Sequence, residues 1–199
     1  MIRSKLMQPV ARHRSHHEAA AFLRRGSGSS DLEKTLQRAV SALAERDIPS
    51  LVVGGYAVQE NGYPRFTQDV DLVVPDVSEA RGILSISGFR ENPGSSMTVT
   101  DRQTKFEVDL LPGGGAVGKG PLLLPIPTEV TRTPNIADLK TLIEIKLSSY
   151  LGNPGSRLKD AADVVELIKA NRIPREFTLN PKVKAEYERL WDELAADTE

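Results

Sequence analysis

The stretch Asp69-Val70-Asp71-Leu72-Val73-Val74 lies between Pro64 and Pro75 and reads as a strand. Successive side chains on a strand point to opposite faces, so Asp69 and Asp71 share one face while Val70 points to the other. Two carboxylates one pleat apart can share a divalent cation. The run Lys105-Phe106-Glu107-Val108-Asp109-Leu110-Leu111 has the same parity: Glu107 and Asp109 on one face, Phe106, Val108 and Leu110 on the other. If the two strands are neighbours, Asp109 joins the first pair, and three hard oxygen ligands surround one or two Mg²⁺ ions. Three carboxylates held together without a cation would push at least one pKa upward by repulsion, which makes a purely structural role for the trio unattractive.

Around these strands the chain alternates between short apolar runs and amphipathic helices. Ser30 and Glu33 have capping-box spacing, and Leu32, Leu36, Val40 and Leu43 recur every three or four residues up to Asp47-Ile48-Pro49. Leu51-Val52-Val53 then reads as a strand, Gly54-Gly55 as a tight turn, and Tyr56 to Glu60 as helical turns before Asn61-Gly62. A helix is predicted over Glu79 to Ile86. Met97 to Thr100 and Lys105 to Leu111 form a hairpin about Asp101-Arg102-Gln103-Thr104, and a further strand is predicted around Leu122 to Leu124. After about residue 132 the pattern changes: Asp138 to Leu151, Lys159 to Lys169 and Val183 to Leu194 have helical periodicity. Trp191 joins Val183, Tyr187, Leu190 and Leu194 in an apolar stripe that reads as core packing. The expected organisation is a weakly ordered basic tail over 1–29, an α+β core over 30–132 and a C-terminal helical segment over 133–199.

Composition narrows the chemistry. The 199 residues include no cysteine, so thiolate metal sites, disulfides and cysteine nucleophiles are excluded. With 26 basic and 27 acidic residues the formal charge is -1, and bulk attraction to nucleic acid or an anionic membrane is not expected. The tail carries six Arg or Lys against Glu18 alone, and its His13, His16 and His17 have no ordered scaffold on which to ligate a metal. Nothing approaches an eighteen-residue apolar run, so the expectation is a soluble, cytoplasmic protein.

Gly54 and Gly55 stand where a strand becomes a helix, a place where exposed backbone N–H groups can hold phosphates close to the main chain and a Cβ would obstruct the approach. Taken alone, a D-x-D or a Gly-Gly pair is common. Their order is more informative: apolar strand, Gly-Gly, fourteen residues from Gly55 to Asp69, D-x-D, then a third Asp inside an alternating strand. In this arrangement the chain resembles the nucleotidyltransferase superfamily typified by DNA polymerase beta. Leu51-Val52-Val53-Gly54-Gly55-Tyr56-Ala57 and Thr67-Gln68-Asp69-Val70-Asp71-Leu72 look like the paired motifs of its AbiEii-like toxin branch. Ile145-Lys146-Leu147 resembles that branch's helical K-L motif, and Arg157-Leu158-Lys159-Asp160-Ala161-Ala162-Asp163 its R-x-K-D-x-x-D motif.

The resemblance implies a nucleotidyltransferase-type mixed sheet with flanking helices, and transfer of an NMP group from an NTP such as ATP to an acceptor: tRNA, a protein hydroxyl or a small molecule. It implies that Asp69 and Asp71 bind two Mg²⁺, with Mn²⁺ as a substitute, and that Asp109 binds the metal beside the acceptor hydroxyl and activates it. Gly54 and Gly55 would hold the triphosphate. It also implies a place in a toxin–antitoxin system, with an antitoxin protein as partner.

Lys146, in an otherwise apolar helical stretch, is either a snorkelling surface lysine or a phosphate contact, and is assigned to the nucleotide. Arg65 and Thr67 precede the D-x-D and either contact phosphate or metal-bound water, or form a turn. Asp160 and Asp163, one helical turn apart, either pair with Arg157 or Lys159 to dock the helical segment or serve the active site.

Gly113 to Lys119 matches the first part of a Walker A pattern, but Gly120-Pro121 stands where Ser or Thr and a helix are required, so the stretch reads as a flexible loop near the site. D-x-D also marks metal-dependent glycosyltransferases; the short chain, the preceding glycine pair and the third Asp argue against that class. The remaining rival is a non-catalytic nucleotidyltransferase-like binding module or antitoxin partner, which the intact acid trio opposes.

Overall fold

The computed structural model describes residues 30–196. The basic tail predicted over 1–29, with its three histidines, lies outside the described residues. Helix α1 (Asp31–Ala44) starts on the predicted capping box: Ser30 Oγ accepts from the Glu33 N–H at 3.2 Å and Glu33 Oε2 from the Ser30 N–H at 2.9 Å. Strand β1 (Leu51–Val53) runs without a linker into α2 (Gly54–Glu60). Then come β2 (Asp69–Val74), α3 (Val77–Ile86), β3 (Phe89–Glu91), β4 (Thr98–Asp101) and β5 (Glu107–Pro112). The chain continues with α4 (Leu139–Gly152), α5 (Leu158–Asn171) and α6 (Pro181–Ala196). No helix among the described residues is long and apolar enough to cross a membrane.

The strands form one mixed sheet in the order β1-β2-β5-β4-β3, in which β2 and β5 are parallel and the other pairs antiparallel. This is the mixed sheet with flanking helices expected of the α+β core, and the helices cover both faces. On one face Val70, Leu72, Val74, Val108 and Leu110 are fully buried against α1 and α3 through Leu36, Val40, Leu43, Ala80 and Leu84. On the other, Val53 and Val73 join α2, α4, α5 and α6 in a cluster that includes Leu142, Leu147, Leu167 and Tyr187. Each such aliphatic side chain contributes about 1.5–3 kcal/mol on burial. The C-terminal helices thus share a core with β1, α2 and β2. The segment before α4 also lies along the free side of β1, where the Val52 N–H donates to Asn135 O at 2.7 Å and the Ala137 N–H to Val52 O at 2.9 Å.

Two local expectations need correction. No strand forms at 122–124: Leu123 makes a single bridge to Ala116, within a loop tied by Gly114 N–H to Leu124 O at 2.9 Å and Val117 N–H to Leu122 O at 3.0 Å. Pro121, Pro125 and Pro127 remove the donors that a longer ladder needs. Conversely, Phe89-Arg90-Glu91 forms the edge strand β3, too short and too polar for alternation to reveal it; pairing to β4 and burial of Phe89 against α3 hold it in place.

A partly buried ion pair fastens α1 to the end of β4. Arg38 pairs with Asp101, which is 1% exposed and also accepts from the Gln103 N–H at 2.8 Å. Burial by itself would raise the Asp101 pKa. The hydrogen bonds and charge of Arg38, with the Gln103 N–H and the Thr35 hydroxyl, outweigh it and hold the carboxyl below its ordinary value.

Candidate active site

The parallel pairing of β2 with β5 brings the three aspartates together. Asp71 stands opposite Asp109 and Asp69 opposite Glu107, and side chains opposite one another in register point to the same face. That face belongs to the α4–α6 side of the sheet, because Asp69 and Asp71 share parity with Val73. All three aspartates line a cleft of about 520 Å³, whose floor is formed by Val53, Gly54 and Gly55 and whose far side carries Lys146, Arg157, Lys159 and Asp160, with Arg65 at its edge. Three cations, with Asp160 among them, therefore stand across from the three aspartates.

Each carboxylate has one protein donor. Thr67 Oγ1 donates to Asp69 Oδ1 at 2.8 Å and Thr98 Oγ1 to Asp109 Oδ1 at 2.6 Å, while the Gly55 N–H stabilises Asp71. Asp71 has its pKa raised to about 6, first by burial and then by repulsion from Asp69 and Asp109; Lys146 and the Gly55 N–H offset part of this. Among the described residues, no three His, Cys, Asp or Glu side chains converge closely enough to hold a metal ion as they stand. The donor set nevertheless fits a hard divalent cation: all oxygen, three formal charges, and a mutual repulsion that a cation would relieve.

The two glycines have a steric role in the turn itself. Gly54 has φ +66, and a Cβ there would fall 1.7 Å from Asp71 Oδ2; a Cβ at Gly55 would fall 2.3 Å from Thr67 Oγ1. The strand-to-helix turn is therefore built of glycine so that Asp71 and Thr67 can rest on the main chain. Gly54→Ala is expected to lower stability by about 1–3 kcal/mol through the left-handed backbone and the clash, and to displace the Asp71 carboxylate. Thermal melts beside a divalent-cation titration would check this; wild-type values in both would refute it.

Lys146 is neither a surface lysine nor free to reach a phosphate unaided. It is buried, with Nζ 2.7 Å from Asp160 Oδ1 and 2.9 Å from Asp163 Oδ2. Asp163, 2% exposed, also faces Arg65: Nη2 donates to Oδ2 at 3.2 Å, and Nε stands 2.9 Å from Oδ1. The Nε–H finds no hydrogen-bond acceptor, so the contact between Nε and Oδ1 is an ion pair only. Asp160 thus pairs with Lys146 on α4, and Asp163 with Lys146 and with Arg65 in the loop before β2; neither pairs with Arg157 or Lys159. Both of those cations are exposed and directed to the cleft, because α5 turns its acids inward against α4.

Nothing in its residue type singles out Thr98. Its place opposite Asp109 follows from the hairpin register, which the sequence left unaligned.

No protein-family model matches the chain, and no curated protein matches it. Among solved structures it is similar to the antibiotic-resistance factor ANT(2'')-Ia, whose solution structure aligns over 82% of this chain and 93% of that one, at 15% identity and a TM-score of 0.46. The crystal structure of ANT(2'')-Ia in complex with adenylyl-2''-tobramycin aligns over 83% of this chain and 98% of that one, at 15% identity and a TM-score of 0.47.

Proposed function

We propose that the chain is a nucleotidyltransferase that moves an NMP group from an NTP to an acceptor hydroxyl. The observation that carries the reading is the cleft: Asp69, Asp71 and Asp109 on adjacent parallel strands, facing Lys146, Arg157 and Lys159 on the helical wall. Acids on one wall and cations on the other suit a triphosphate held with a divalent ion between them. Asp69, Asp71 and Asp109 would hold Mg²⁺ or Mn²⁺, which when bound supplies charge neutralisation of the phosphates and polarisation of the α-phosphate. Arg157 and Lys159 balance the β- and γ-phosphate charge, and the Gly54-Gly55 turn lets the nucleotide approach the main chain. Asp109, steadied through one oxygen by Thr98, accepts the acceptor's hydroxyl proton as the oxygen bonds to the α-phosphorus. The α–β bridging bond breaks and pyrophosphate leaves with the electron pair. Lys146 acts from beneath: its charge acts on Asp71 while Asp160 and Asp163 keep it in place.

The motif resemblance extends this reading to the toxin of a toxin–antitoxin pair, with tRNA, a protein hydroxyl or a small molecule as acceptor and an antitoxin as partner. Purified protein incubated with Mg²⁺, each labelled NTP and in turn total tRNA, cell protein or small alcohols is expected to transfer label to one class, with loss in Asp69→Ala and Asp109→Ala. In parallel, Mg²⁺ or Mn²⁺ is expected to raise the melting temperature of the wild type but not of those variants. Absence of both transfer and NTP binding would make the chain a non-catalytic binding module.

A further inference from the structure

We propose that the β3–β4 end of the sheet carries a second site, a phosphate-binding pocket made by Arg90, Arg102 and Lys105, which takes the phosphate of a ligand entering beside Asp109. A pocket of about 420 Å³ is lined by Arg90, Thr100, Asp101, Arg102 and Lys105. The one carboxylate among these, Asp101, is already committed, with one oxygen paired to Arg38 and the other accepting the Gln103 N–H. The three cations keep most of their donors. Arg102 uses Nε on Phe89 O at 3.2 Å, and its two terminal nitrogens form no ion pair among the described residues. Lys105 uses one ammonium N–H on Arg102 O at 2.7 Å, and Arg90 is exposed. Of the nearby acids, Glu91 has the opposite strand parity to Arg90 and accepts from Ser85 at 3.0 Å, while Glu107, opposite Thr100, accepts from Asn92 at 3.4 Å. Three exposed cations against the single flanking carboxylate of Glu107 leave a net positive charge that suits a multiply charged, multi-acceptor anion such as phosphate.

Lys105 has φ +70, a left-handed conformation that Asn or Gly would adopt with less strain, and its ammonium donates back to Arg102 O within the turn. Position gives the pocket its use. Arg90 pairs with Thr100 and Thr100 with Glu107, so Arg90 and Thr100 lie on the face of the aspartates. Thr98 stands opposite Asp109, which makes Thr100 its diagonal neighbour, roughly 7–8 Å away. The pocket shares no lining residue with the aspartate cleft, so an anion held here is bound by cations other than those proposed for the NTP. The acceptor role rests on the NMP-transfer reading; phosphate binding does not.

The test is a titration of the full ¹⁵N-labelled chain with inorganic phosphate, followed by a sugar phosphate and by a short single-stranded oligonucleotide. Saturable shifts are expected at the amides of Arg90 and Arg102 to Lys105, with affinity about fivefold or more weaker in Arg102→Ala and in Lys105→Asn. Lys105→Asn is expected to melt no lower than wild type, since Asn tolerates the left-handed turn; weakened binding in a protein of undiminished stability separates a ligand contact from a structural one. Tighter binding of the sugar phosphate or of the oligonucleotide than of phosphate itself identifies the source of the group. Phosphate bound with neither following it means an adventitious ion only and overturns the proposal, as do shifts confined to the Asp69–Asp109 cleft or unchanged affinity in both variants. A positive titration in a protein that transfers no NMP would leave the pocket standing and remove the proposed activity.

Discussion

Asp71→Asn is expected to abolish NMP transfer, by about a thousandfold or more, while raising the melting temperature of the metal-free protein at pH 8. The two effects have one origin. In the folded chain burial and the charges of Asp69 and Asp109 raise the Asp71 pKa to about 6, against 3.8 as the ordinary value. Between these values the folded state holds the proton more tightly than the unfolded state, so the wild type loses stability as pH rises from about 4 to 6, and the deficit is complete above that. Its size is on the order of 1–3 kcal/mol. Asparagine removes the charge and keeps an oxygen for the Gly55 N–H. Melting curves of wild type and variant should therefore converge below about pH 4 and separate above pH 6, and Mg²⁺ should narrow the gap by stabilising only the wild type. A variant that melts below wild type at pH 8 would show that Asp71 serves the fold, and retention of transfer would remove it from the site.

Asp163→Ala is expected to cost about 3–5 kcal/mol of stability, because it removes the only carboxylate paired with Arg65 among the described residues and one of the two paired with Lys146. Lys146 and Arg65 both lean on Asp163, with side-chain exposures of 9% and 11%. Lys146 keeps Asp160; Arg65 keeps only its bond from Nη1 to Phe66 O at 3.1 Å. The melting temperature should fall by about 10 °C for a domain of this size. Asp163→Leu combined with Arg65→Met should recover much of the loss, since replacing both members of a buried pair is often near neutral. Chemical denaturation of the single and double variants would measure it; a single variant as stable as wild type would mean that water already screens the cluster.

Much of the candidate site was legible because strand parity is a local property. Asp69 and Asp71 had to share a face, and so did Glu107 and Asp109, whatever the strands paired with. The capping box at Ser30 and Glu33 and the apolar stripe of α1 are local in the same way. The roles of Lys146, Asp160 and Asp163 were not legible. Spacing along α5 placed Asp160 and Asp163 on one face, but whether that face met Arg157, Lys159 or a lysine on another helix depends on how α5 rotates against α4. The strand at 122–124 failed for a related reason, since three short apolar residues form a ladder only when a neighbour offers unbroken donors.

By itself the sequence determined which side chains could act together on one element: the acid pairs of β2 and β5, the glycine turn between β1 and α2, and the apolar periods of the helices. These follow from the fixed repeats of strand and helix. The tertiary structure alone decided that β2 and β5 are parallel neighbours with Asp71 level with Asp109, that α5 turns its acids onto Lys146 and Arg65, and that Arg90, Arg102 and Lys105 close on one pocket. Register, helix rotation and edge pairing are set by burial summed over the whole core, and no window of sequence contains that sum.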